Sequence, residues 1–92
     1  MRKPWADMLR TIKLDGKLAL VEWVDSTMVH GWTTDPPGEK SQTCFSVGWV
    51  MQTSAQSVTL APHVTIEEKV QRGGEMTIPK CSIVRIEYLK GD

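Results

Sequence analysis

Phe45-Ser46-Val47-Gly48-Trp49-Val50-Met51 is the stretch whose reading decides the fold. It is a short apolar run with polar flanks and one internal glycine. It reads as the central strand of a small β-barrel, paired to the Trp23 strand before it and the Val58 strand after it. Over residues 43–52, Cys44 is followed at even spacing by Ser46, Gly48 and Val50. Phe45 is followed by Val47, Trp49 and Met51. Alternate residues of a strand face opposite sides. The Phe45 set is uniformly large and apolar, which places it in the core. Gly48, on the other face, lets the strand bend sharply, as closure of a barrel requires.

Working outward, Asp15-Gly16 is a turn signal. Residues 17–25 then alternate as a strand: Leu18, Leu20, Glu22 and Val24 point one way, Ala19, Val21, Trp23 and Asp25 the other. Both faces carry apolar residues, so this strand is expected to be covered on both sides for part of its length. Downstream, residues 53–56 form a short polar turn into residues 57–61, where Val58 and Leu60 alternate with small or polar neighbours. Pro62 and His63 interrupt that ladder, and residues 64–66 extend it beyond a kink. Gly73-Gly74 reads as another hairpin turn. Met76-Thr77-Ile78 is a short strand, Lys80-Cys81-Ser82 has the length of one 3₁₀ turn, and residues 83–89 are the last strand. Between the first two strands, residues 26–42 form a long loop with Asp35-Pro36-Pro37-Gly38 at its tip. The two prolines forbid a continuous ladder there. A long loop of this kind is often functional.

The N-terminus reads two ways. Pro4 suits the first position of a short helix, with Trp5, Met8 and Leu9 on one face. The same segment could be an arm that orders on a neighbouring subunit. The division is therefore an arm or short helix over 1–16 and one small barrel over 17–92.

The chain has 92 residues, 40% of them apolar, which bounds it to one globular domain. With 11 basic and 11 acidic side chains the net charge is zero, which argues against a general DNA or RNA binder. The charge is uneven: Arg2, Lys3, Arg10, Lys13 and Lys17 outnumber Asp7 and Asp15 in the first 17 residues. Two cysteines, Cys44 and Cys81, make no disulfide framework or zinc pair. Both stand in apolar strand-like surroundings as small core residues, and a reducing cytosol is the simplest compartment. No run reaches the roughly 18–20 apolar residues of a membrane span, and no secretory signal opens the chain.

Four tryptophans are many for this length. Trp23 and Trp49 read as core. Trp32 follows a glycine and opens the Pro-rich loop, so it either packs or offers a ring to a nucleobase or a proline-rich peptide. Asp25, Ser26 and His30 lie close in sequence, but Asp25 and Ser26 diverge on a strand and read as the start of a turn rather than a triad. His30 and His63 lack the matched spacing of a metal site. Arg72 precedes two glycines, where it could reach a phosphate from a loop tip. Lys80 sits at the 3₁₀ turn. No Gly-rich phosphate loop is present, and an enzyme is not expected.

Five short strands, a long first loop, tight hairpins, then Ile78-Pro79-Lys80 and one 3₁₀-like turn before Ile83: this order resembles the SH3-like and Sm-like small barrels over about residues 17–90. Trp23-Val24-Asp25-Ser26, Gly31-Trp32, Ser46-Val47-Gly48-Trp49 and Ile78-Pro79-Lys80 also resemble small phage- and prophage-encoded proteins. In size and style the chain is similar to anti-defence sponges. That resemblance implies a cytoplasmic homo-oligomer without cofactor that sequesters a small nucleotide signalling molecule without cleaving it. No motif of that class maps onto single residues here; by their own chemistry and placement the binding positions would be Trp32, Arg72, Lys80, Asp25, Ser26 and His30. The SH3-like resemblance implies instead a module that grips a host or phage protein, and the Sm-like one an RNA binder.

Overall fold

The computed structural model describes residues 4–26, 31–38, 41–66 and 68–90, with side chains for all of these except 4–6 and 66. The protein is mostly β. A helix, α1 (Pro4–Thr11), is followed by β1 (Leu18–Asp25), β2 (Gln42–Thr53), β3 (Ser57–Ala61), β4 (His63–Ile66), β5 (Val70–Gly73) and β6 (Met76–Pro79). A 3₁₀ turn over Lys80–Ser82 then leads into β7 (Ile83–Tyr88). Five strands form one antiparallel sheet in the order β6-β3-β2-β1-β7, and β4 and β5 form a separate two-stranded sheet. Neither sheet closes on itself. The 3₁₀ turn spans from one edge strand to the other. It is tied to the β2–β3 turn by the Lys80 amide, which donates to the Gln56 carbonyl at 2.8 Å, and it also touches β1.

α1 ends in a glycine-free Schellman arrangement. Lys13 adopts φ 64°, its amide donates to the Arg10 carbonyl at 3.1 Å, and the Leu14 amide donates back to Leu9 at 2.8 Å. Leu14, which follows this cap, is buried. Gly16, also at positive φ, then turns the chain into β1.

The core is made by Ala19 and Val21 of β1, Val50 of β2, Val58 and Leu60 of β3 and Ile78 of β6, with Trp23, Ile83 and Ile86 packed against it. This corrects the expected facing of β2. In the β1 register Val47 stands opposite Leu20 and Phe45 opposite Glu22, while Gly48 and Ser46 stand opposite the core residues Ala19 and Val21. The small residues therefore point inward and the large ones outward. The reason is curvature. A Cβ on Gly48 would lie 3.0 Å from the Ala61 carbonyl oxygen, so the concave side at the bend has no room for a large side chain. Past the bend a bulge at Met51 shifts the β3 register. Trp49 is half-buried on the outward face, in register with Leu18 and the fully buried Ala61.

The Gly73-Gly74 turn is likewise displaced. β3 with β6, and β4 with β5, share one unbroken register: Leu60 pairs with Met76 and, three residues on along both strands, His63 pairs with Gly73. The four strands form one ribbon, creased where Pro62 faces Gly74. Gly74 has φ +71°, and a Cβ there would sit 3.1 Å from the Pro62 Cγ. The glycine accommodates the proline instead of making the hairpin tip, which falls beyond the Ile66–Val70 pair. The outer half of the ribbon leaves the sheet, with every residue of β5 exposed. The radius of gyration is 17.3 Å, against about 12 Å for a compact chain of this length.

Candidate binding surface

The outward face of β7, β1 and β2 exposes large apolar side chains in mid-strand. Phe45 is 61% exposed, Val47 52% and Val84 58%. Val84 is pushed out by a bulge, since β7 loses register between Glu22 and Trp23. Through the middle runs an ion pair, Arg85 Nε to Glu22 Oε1 at 3.1 Å, with Glu87 Oε2 at 3.8 Å from the same guanidinium. The inward side differs: there the Trp23 indole N–H donates to Ser46 Oγ at 3.0 Å. The Thr59 and Thr77 hydroxyls pair at 2.9 Å on the face of the ribbon opposite Val58 and Ile78.

A cleft of about 260 Å³ opens between β2 and the crease of the ribbon, lined by Ser46, Val47, Leu60, Pro62, Gly74 and Met76. It carries no charged side chain. A second hollow of about 360 Å³, lined by Thr65, Glu68, Lys69 and Gln71, lies at the far end of the ribbon.

The expected site residues that are described fall on different elements. Trp32 is fully exposed and follows Gly31 at φ 86°. Asp25 ends β1, where its carboxylate accepts the Ser26 amide at 2.8 Å, a local turn contact. His30 lies outside the described residues. Arg72 is on strand β5, paired in register with Val64, and its guanidinium is held by Glu75. Lys80 is exposed at the 3₁₀ turn. The crease at Gly74 and strand β6 lie between Arg72 and Lys80 along the chain. Cys81 is exposed and Cys44 half-buried, so Cys81 is not the core residue expected from its neighbours. It belongs to the 3₁₀ turn, whose residues are not buried.

Sequence reading missed Phe45 and Val47 as surface residues. The one available signal was Glu22, which faces outward on β1 and pairs with Phe45. Among the described residues no three His, Cys, Asp or Glu side chains gather to hold a metal ion, and no helix is long and apolar enough to cross a membrane. Comparison with models of known protein families, with curated proteins and with solved structures finds no match.

Proposed function

We propose that the protein is a non-catalytic interaction module, a small barrel of the SH3-like or Sm-like kind, that seats another polypeptide on its β2 side. The observation that carries this reading is the exposure of Phe45 and Val47 in mid-strand. Large apolar side chains grouped on an open sheet mark interaction surfaces. The barrel form is supported by the strand order β6-β3-β2-β1-β7 and by the 3₁₀ turn that links the two edge strands. The test is partner capture by the wild-type chain and by a Phe45→Thr/Val47→Thr variant of equal thermal stability. Loss of a stoichiometric partner only in the variant supports the reading. Capture of the same partner by both overturns it.

A second reading, sequestration of a small nucleotide signalling molecule, draws on Trp32. Its ring is free to stack on a base, worth about 1–3 kcal/mol. In this reading copies of the chain associate, and Arg72 and Lys80 meet the phosphates at the junction between them. Thermal shift against cyclic di- and trinucleotides, with Trp32→Ala as control, tests it. No stabilisation at high ligand concentration would dismiss it.

A further inference from the structure

We propose that the N-terminal half of β2 is the docking edge for a single extended peptide strand, anchored by one large apolar side chain in the cleft beside Pro62. This names the partner class of the interaction module proposed above and rests on that reading.

β2 pairs with β1 along residues 42–49, but it meets β3 only from Trp49 onward. Its other edge, over residues 42–48, therefore has no strand partner among the described residues. Which groups face that edge follows from the ladder. The Val50 amide donates to Lys17 on the β1 side at 2.8 Å. Antiparallel pairs alternate, so the amides of Gly48, Ser46, Cys44 and Gln42 also turn toward β1. Those of Val47, Phe45 and Thr43, with their carbonyls, turn toward the open edge. No loop hydrogen bond among the described residues engages them.

Exposed strand edges are ordinarily guarded by charge, proline or a bulge. The outermost strands of the main sheet are guarded: β7 carries Arg85 and Glu87, and β6 ends in Pro79. Residues 42–48 carry neither charge nor proline. An unguarded edge of this length is a template for strand addition.

The cleft selects the occupant. Ser46 and Val47 of β2 form one wall of the opening, and Leu60, Pro62, Gly74 and Met76 of the creased ribbon form the other. The opening runs into a vertex where Trp49 meets Ala61. A strand already built into another sheet has one edge engaged and could not enter between the two walls. A lone extended segment has both edges free. A dry apolar cavity of about 150 Å³ takes a benzene ring, so the cleft of about 260 Å³ has room for a leucine, methionine or phenylalanine side chain from that segment.

The probe is a set of acetylated, amidated nonapeptides alternating threonine with valine around one central guest residue, with a lysine at each end for solubility. Amide hydrogen exchange by NMR reads the result. Binding should slow exchange at Thr43, Phe45 and Val47 at least tenfold and leave Cys44 and Ser46, already paired to β1, unchanged. A phenylalanine or leucine guest should bind at least about tenfold tighter than alanine. Val47→Pro removes one edge amide without touching the β1 ladder, as proline permits at an edge, and should abolish binding; Val47→Thr, which keeps the amide, should retain it. Binding without protection of those three amides, equal affinity of all guests, or no binding by any peptide to about 1 mM overturns the proposal. So does concentration-dependent protection without peptide, which would assign the edge to a second copy. In each case the face reading stands or falls separately, by partner capture with Phe45→Thr/Val47→Thr.

Discussion

A Cβ placed on Gly48 would stand 3.0 Å from the carbonyl oxygen of Ala61 and 3.1 Å from its carbonyl carbon. These are backbone atoms of the neighbouring strand, so nothing flexible can give way. Gly48→Ala is expected to open the bend or shift β3, at about 1–3 kcal/mol, the usual range for overpacking. Urea unfolding measures it. A loss below about 0.5 kcal/mol would mean that the bend is looser than the contact implies.

That contact also explains what the sequence hid. The strands were legible because alternation and turn residues are local signals. Residues 17–25 and 57–61 and the 3₁₀ turn over Lys80–Ser82 fall where their patterns put them. The facing of β2 was not legible. Size alone put Phe45, Val47 and Trp49 inside, but the space on the concave side is set by how closely β3 approaches Gly48, and that is a tertiary quantity. The ribbon shows the same limit. Gly73-Gly74 is a good turn signal in isolation, yet Gly74 is there because Pro62 lies across from it. Of the candidate site, the exposed Trp32 ring agrees with its place after a glycine. Arg72, expected at a loop tip, stands on β5 instead, because Gly74 answers Pro62 rather than making the tip.

The crease gives a second prediction. Gly74→Ala meets two costs: left-handed backbone at φ +71° and the Pro62 ring at 3.1 Å. The backbone part is about 1–2 kcal/mol. Pro62→Ala should remove only the ring contact, so the double variant should recover part of the loss and leave the backbone cost. A double-mutant cycle by thermal or urea unfolding separates the two. Strict additivity would show that proline and glycine do not sense each other.

On the inward side, Ser46 Oγ is the hydrogen-bond acceptor for the Trp23 indole at 3.0 Å. Ser46→Ala leaves that N–H unpaired in a partly buried setting. The expected cost is about 1–2 kcal/mol, with a change in tryptophan emission as the ring loses its partner. Trp23→Phe should be insensitive to the same serine change. If Ser46→Ala costs as much in the Trp23→Phe background, the hydroxyl acts through packing and the bond contributes nothing.

The sharpest contrast is between two apolar residues of the same sheet. Ile78 is 1% exposed within the central cluster, and Ile78→Ala should cost about 2–5 kcal/mol through lost transfer energy and a residual cavity. Phe45 is larger, and on size alone its truncation should cost at least as much. Its position opposite Glu22 on the outward face predicts otherwise. Phe45→Thr keeps strand-favouring β-branching and gives up only half-exposed area, so it should lie within about 1 kcal/mol of wild type in the isolated chain. If Phe45→Thr instead unfolds the protein as Ile78→Ala does, the outward face is covered, and β2 packs with its large residues inside after all. If Phe45→Thr is tolerated, the energy of that ring is reserved for whatever polypeptide the face meets.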